Sequence, residues 1–342
     1  MGLKILHAAD LHLDSPFGGF SDEQRQLLKA QQRLLPEKIA DLCRREGCDL
    51  VLLAGDIFDG EASRDTIDHL KNELARCGVP VFIAPGNHDF CGPGSPWLTE
   101  SWPENVYVFT GGLESVVLTE LSCRVYGAGF RSMDCPSLLD GFRAEGTERY
   151  KIAVLHGDPT QRESPYNPIT AGQVKASGLQ YLALGHVHRA GSFRAGDTLC
   201  GWPGCPMGRG WDETGQKGVY IVDVGERTEL RFLPIPGIRF FDLEIPADRL
   251  EDLIPGGQTR DFYRITLTGD GEGEVRLPGI PNLWLRDLRT APGDIWELAG
   301  EDTLEGVYFS MLRQQAQAGE EAAALAARIS RELLLGREVA LP

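Results

Sequence analysis

Five short apolar runs, each closed by a cluster of metal-binding residue types, constrain this chain more than any other feature. They are Lys4-Ile-Leu-His-Ala-Ala-Asp10-Leu-His12, Leu50-Val-Leu-Leu-Ala-Gly-Asp56, Val81-Phe-Ile-Ala-Pro-Gly-Asn87-His88-Asp89, Ile152-Ala-Val-Leu-His156-Gly-Asp158 and Tyr181-Leu-Ala-Leu-Gly-His186-Val-His188. Short apolar runs bounded by Gly or Pro read as buried strands. Helical patterns separate the early ones. Ser63 is placed to cap a helix that carries Ile67, Leu70 and Leu74, with Gly78 as its stop, and the stretch from Asp22 to Glu46 is helical in pattern with Pro36 set to kink or divide it. Strands alternating with helices predict an α/β layered domain in which polar residues at the carboxyl ends of strands converge on a crevice.

Of the seven histidines, five (His12, His88, His156, His186 and His188) sit in these clusters, and only His7 and His69 do not. One strand-end histidine is ordinarily structural; five, together with Asp10, Asp56 and Asn87, point to a shared site. In extended chain, residues i and i+2 project the same way, so Asp10 and His12 can grip one cation and His186 and His188 can reach one cleft. Carboxylate, imidazole and carboxamide donors without cysteine suit Mn²⁺, Fe²⁺ or Zn²⁺ better than Ca²⁺, and they do not make a structural zinc finger. Asp10, His12, Asp56, Asn87, His156, His186 and His188 are more ligands than one ion needs. A pair of divalent ions about 4 Å apart, bridged by a carboxylate and a hydroxide, would use them all and would set up in-line attack on a phosphoryl group.

The remainder of the sequence bounds the reading. Asp and Glu outnumber Lys and Arg by 50 to 34, a net charge of −16, which argues against a protein that coats nucleic acid or anionic membrane by bulk charge. Within 238–342 there are 19 acidic and 11 basic residues, so half of the excess lies outside the clusters, and two bound divalent ions would offset part of the other half. The expectation that remains is narrower: weak, local DNA binding by the metal-free chain. No apolar run is long enough to span a bilayer, and the start of the chain lacks the apolar centre of a signal peptide, so a cytoplasmic location is expected. The eight scattered cysteines have no C-x-x-C spacing and read as free thiols. From Gly191 the sequence reads as turn-rich, followed by strands over Val219–Val224 and Leu230–Ile235 and a boundary near Pro234–Gly237. Strand-like pieces at Phe240–Ile245 and Tyr263–Thr268 indicate a small α+β module, and Ala322, Leu325, Ala326, Ile329 and Leu333 recur at helical spacing before a stop at Gly336.

The ordered series Asp-x-His, Gly-Asp, Gly-Asn-His-Asp, His-Gly and Gly-His-x-His over residues 10–188 resembles the calcineurin-like metallophosphoesterase superfamily. Ala9-Asp-Leu-His-Leu-Asp-Ser-Pro-Phe17, Gly55-Asp-Ile-Phe-Asp59 and Pro-Gly-x-Pro-x-Gly-Arg from Pro203 to Arg209 look most like the bacterial SbcD/YhaO group of DNA repair nucleases. The resemblance implies an α/β fold of two β-sheets flanked by helices over 1–237, a capping module over 238–300 and a helical tail over 301–342. It implies that Asp10, His12, Asp56 and His188 hold a first ion, that Asp56 bridges to a second held with Asn87, His156 and His186, and that His88 donates a proton to the leaving oxygen or steadies the transition state. Mn²⁺ would be the expected metal, DNA the substrate, and a homodimer working with an SMC-like coiled-coil ATPase the assembly, with no membrane partner. The ATPase would dock on the stretch after Thr303, unless that stretch folds back to complete the module's core. Where archaeal and eukaryotic relatives carry a second active-site histidine, this chain has Asp59, which is read as a supporting or turn residue. Asp89 either orients His88 or caps its loop, Asp14 and Asp158 are similarly open, and Arg189, Arg131 and Arg209 either touch substrate phosphate or face solvent. The same chemistry could serve a phosphatase or phosphodiesterase for nucleotides, lipids or phosphoproteins. A scaffold that had lost its metals is disfavoured because no ligand is missing.

Overall fold

The computed structural model describes residues 2–249, 260–269, 275, 280–289 and 295–336. The chain divides into two compact units, Met1–Arg239 and Phe240–Pro342.

In the first unit, strands β1 (Leu3–Ala8), β2 (Leu50–Leu53), β3 (Val81–Ile83) and β4 (Val106–Val108) run parallel. Later strands are β5 (Glu114–Leu118), β6 (Cys123–Gly127), β7 (Tyr150–His156), β8 (Tyr181–Gly185), β9 (Arg189–Ala195), β10 (Thr198–Gly204), β11 (Gly218–Val224) and β12 (Thr228–Pro234). They form two six-stranded sheets, ordered β12-β11-β1-β2-β3-β4 and β5-β6-β7-β8-β10-β9. Leu3, Ile5, Leu50, Leu52 and Phe82 from the first sheet meet Val125, Ile152, Val154, Tyr181 and Ala183 from the second in one buried core. The alternate residues Leu6, Val51 and Leu53 are buried as well, which explains why these strands read as unbroken apolar runs rather than as alternation.

Helices α1 (Asp22–Arg33), α2 (Leu35–Glu46) and α3 (Arg64–Arg76) fill the early connections. Pro36 sits in the first turn of α2, where its missing N–H is no loss, so it divides the helical stretch in two. The Ser63 hydroxyl accepts from the Thr66 N–H and starts α3. The stretch after Gly191, expected to be turn-rich, is instead the hairpin β9–β10. Its density of Gly and Pro hides the strand pattern. Gly191 is needed because a Cβ there would collide with the Trp202 ring, and the antiparallel pairing passes from Trp202 to Gly204, over Pro203. All eight cysteines are buried and free.

His7 joins the sheets. Its Nε2–H donates to the Leu184 carbonyl at 3.1 Å, so Nδ1 accepts the Tyr181 hydroxyl at 2.7 Å, and full burial lowers its pKa from 6.5 to about 3. The folded state therefore holds this imidazole neutral, while the unfolded chain takes up a proton below about 6.5. The stabilisation is complete above that pH and is lost progressively as pH falls towards 3, about 2 kcal/mol being gone at pH 5 at 1.36 kcal/mol per unit. Urea unfolding of metal-free protein at pH 7.5 and 5.0 should show this extra loss in the wild type and not in His7→Gln; equal slopes would refute it.

In the second unit, β13 (Phe240–Pro246), β14 (Phe262–Thr268) and β15 (Leu283–Asp287) form a parallel sheet in that order, with Ile245, Tyr263, Ile265 and Leu267 in its core. Parts of the expected module, at 250–259, 270–274, 276–279 and 290–294, lie outside the described residues. The end of the chain is a helical hairpin, Leu304–Gln317 and Glu321–Leu334, packed through Phe309, Leu312, Ala323 and Ala327. It leaves Leu304, Val307, Met311, Leu333 and Leu334 exposed. No described helix is long and apolar enough to cross a membrane.

Candidate metal centre

Strand register assembles the site. Ala8 pairs with Leu53 and Leu53 with Ile83, so the three strands end level and the loops beyond them present Asp10, Asp56 and Asn87 side by side. On the facing sheet His156 pairs with Gly185, which places His186 next to it. These loops turn sharply: Asp10, His12, Asp56 and His186 all have positive φ, between 47° and 95°. That conformation costs about 1–3 kcal/mol per non-glycine residue and persists where surrounding structure holds it, as at functional sites. Gly55 and Gly86 supply room, since a Cβ on the first would strike His156 and on the second Asp56.

Three imidazoles are fixed in one tautomer with the other nitrogen turned inward. His156 donates Nδ1–H to the Ala54 carbonyl at 3.0 Å, which leaves the Nε2 lone pair 2.9 Å from Asn87 Oδ1 and 3.4 Å from Asp56 Oδ2. Nδ1 of His12 lies 3.3 Å from Asp59 Oδ1, and Nδ1 of His188 lies 2.6 Å from Glu213 Oε1. With those protons on Nδ1, the Nε2 atoms of His12 and His188 face each other at 3.1 Å, lone pair to lone pair. Such facing acceptors repel, and a cation that accepted both lone pairs would relieve that repulsion. Asp10 Oδ2 is buried with no hydrogen-bond partner, while its Oδ1 accepts the His186 N–H at 2.8 Å. Asp56 Oδ2 lies between the two groups, 3.8 Å from His12 Nε2 and 3.4 Å from His156 Nε2. The groups Asp10, His12, His188, then His12, Asp56, His88, and Asp10, Asp56, His156 each bring their donor atoms together closely enough for one ion, so Asp10 and Asp56 each take part in two of them and His88 lies within reach of one. Nδ1 of His186 approaches Asn87 Oδ1 at 3.3 Å. All seven residues read from the sequence as ligands therefore meet in one place, and their donor set fits two divalent cations.

His88 stands at the mouth of the site. Its N–H donates to Asp56 Oδ1 at 2.9 Å and its Nδ1 lies 3.0 Å from Asp59 Oδ1. The Asp59 contact raises the His88 pKa, so this imidazole carries a proton more readily than a free one. With Gly60, Phe90, Gly92 and Pro96 it borders a cavity of about 560 Å³. Burial opposes ionisation of Asp59, yet His12, His88 and Ser15 hold it ionised well below the usual carboxylate range. Asp89 does not orient His88. Its carboxylate accepts the N–H groups of Gly86 at 2.7 Å and Ile57 at 2.8 Å, tying the Asn87 loop to the Asp56 loop. Asp14 accepts from Ser63 and Thr66, and Asp158 closes its own turn through Thr160 and Gln161. Arg189 and Arg131 are exposed. Sequence reasoning misses Glu213: it follows a turn 25 residues after His188, and its nearest signal is the Pro203–Arg209 stretch just before it.

The first 190 residues carry the decisive likeness: residues 3–190 match the calcineurin-like phosphoesterase family. The chain belongs to that family. It is 34% identical over 244 residues to the metallophosphoesterase YhaO of Bacillus subtilis strain 168, covering 65% of this chain and 57% of that one. It is 26% identical over 264 residues to the SbcD component of the nuclease SbcCD from the same strain, covering 65% of this chain and 66% of that one. The cyclic adenosine monophosphate phosphodiesterase CpdA of Haemophilus influenzae is 25% identical over 202 residues, 55% of this chain and 70% of that one. This calcineurin-like phosphoesterase thus spans less than two thirds of the first two relatives.

Proposed function

We propose that this phosphoesterase is a DNA exonuclease of DNA repair, with endonuclease activity also within its chemistry, that hydrolyses phosphodiesters with two divalent ions, Mn²⁺ in preference to Fe²⁺ or Zn²⁺. The observation that carries hydrolysis is the set of inward-facing lone pairs of His12, His156 and His188 around Asp56. Asp10, His12, Asp56 and His188 would hold one ion, and Asp56, Asn87, His156 and His186 the other. Ions held by these residues would supply water activation and Lewis-acid charge stabilisation at the phosphoryl group. Among the protein's own groups, Asp56 anchors the His88 loop through the backbone N–H, and Asp59 holds the His88 ring. His88, favoured in its protonated form, hands a proton to the leaving oxygen from the rim of a cavity that can receive the leaving group.

DNA as substrate is supported by the SbcCD relative and by a second unit that a small-molecule phosphatase does not require. The exposed apolar residues of the helical hairpin suit docking of an SMC-like coiled-coil ATPase, and a homodimer in the cytoplasm is the expected setting. The CpdA relative favours the second reading, hydrolysis of small nucleotide esters. End-labelled linear duplex DNA and an aryl phosphodiester, each incubated with Mn²⁺ with and without a candidate ATPase, separate the two. Progressive shortening of the duplex supports the nuclease; cleavage of the small ester alone sinks it.

A further inference from the structure

We propose that Glu213, held in place by Arg209, is a positioning residue that fixes the tautomer and aim of His188 in the metal centre. This rests on the metal reading of the site. His188 follows β8 on a short loop, is partly exposed, and has no backbone carbonyl at Nδ1 of the kind that fixes His156. Glu213 Oε1 lies 2.6 Å from that nitrogen and Arg209 Nη2 3.2 Å from it; the nearer carboxylate, which can only accept, draws the ring proton to Nδ1 and leaves Nε2 bare towards His12.

The carboxylate is itself over-determined. Glu213 is 5% exposed. Its Oε2 accepts the Arg209 N–H at 2.8 Å and the Cys205 thiol at 3.5 Å, and its Oε1 accepts Arg209 Nη2 at 2.9 Å. Arg209 Nη1 also reaches towards Asp59 Oδ2, at 3.7 Å. One guanidinium therefore stands between the carboxylate behind His188 and the carboxylate behind His88 and His12. Arg209, open to a phosphate-binding role on sequence alone, has its planar fork committed to Glu213, a geometry that lysine could not reproduce. An ionised carboxylate behind a ligand imidazole also raises the basicity of the nitrogen facing the cation.

The test is Mn²⁺ affinity, measured on folded protein by competition with a chelator, alongside thermal unfolding of the metal-free forms. Two variants are used. Glu213→Gln removes the charge and sets an N–H₂ against the Arg209 or Cys205 donors. Glu213→Asp keeps the charge for Arg209 but draws the carboxylate back from His188 by one methylene. Both should weaken Mn²⁺ binding about 10- to 100-fold, the usual cost of losing such a partner. If Glu213 only pinned the 205–213 loop, the variants would melt earlier yet bind Mn²⁺ as the wild type does, and that result overturns the proposal. Should Glu213→Gln not fold, the Asp variant alone decides by the same criterion. Wild-type protein that takes up no Mn²⁺ would overturn the metal reading itself, and this inference with it.

Discussion

Replacing Asp56 with alanine should remove both the bound ions and the turnover. Asp56 Oδ2 lies within 4 Å of imidazoles from both halves of the site, His12 and His156, and its Oδ1 also holds the His88 N–H. Without it each half loses one donor, and the negative charge that would lie between two cations is gone. The loss of Lewis-acid stabilisation is worth several kcal/mol, so at about 1.36 kcal/mol per decade turnover should drop by at least ~10³. Metal analysis of the purified variant together with its rate on a phosphodiester checks this. A variant that kept its ions or more than a tenth of its rate would mean that the bridge is elsewhere.

His88→Ala should separate binding from chemistry. The His88 side chain is 44% exposed and stands at the rim, and its link to Asp56 runs through the backbone N–H, which alanine keeps. Metal content should stay at the wild-type level while kcat falls about 100- to 10,000-fold, the range for losing a positioned general acid. Since the Asp59 contact raises the His88 pKa, the wild-type acid is available near neutral pH, and the residual activity of the variant should depend less on pH on the alkaline side. An unchanged kcat would remove His88 from the mechanism; lost metal would recast it as a ligand.

How far the sequence could be read follows from where each residue lies. The convergence of the seven candidate ligands is legible because a parallel strand delivers its last residues to the same end of a sheet, and strand ends that close on Asp, Asn and His advertise what meets there. The partner of His88 was harder. Adjacency in the chain points to Asp89, but the loop turns that carboxylate back onto the N–H groups of Ile57 and Gly86, and register across β2 and β3 brings Asp59 instead. Glu213 was invisible because nothing local marks a residue whose whole role is to back another 25 positions away; only folding of the 205–213 turn puts it there. The hairpin β9–β10 is hidden by Gly191, Gly201, Pro203 and Gly204, residues that ordinarily break strands; here Gly191 makes room for Trp202, Gly201 for Tyr181 and Gly204 for the His188 backbone. The helical spacing of Ala322 to Leu333 marks the second helix of the tail, while the turn that makes it a hairpin rests on Gly319, at positive φ.

The central claim is a two-ion centre built on Asp56, and the most direct measurement is metal content. Protein stripped with chelator, reloaded with Mn²⁺ and desalted should carry about two ions per chain in the wild type and in His88→Ala, and fewer than one in Asp56→Ala. Wild-type protein that retained no Mn²⁺, Fe²⁺ or Zn²⁺, or an Asp56→Ala variant that retained as much as the wild type, would contradict it.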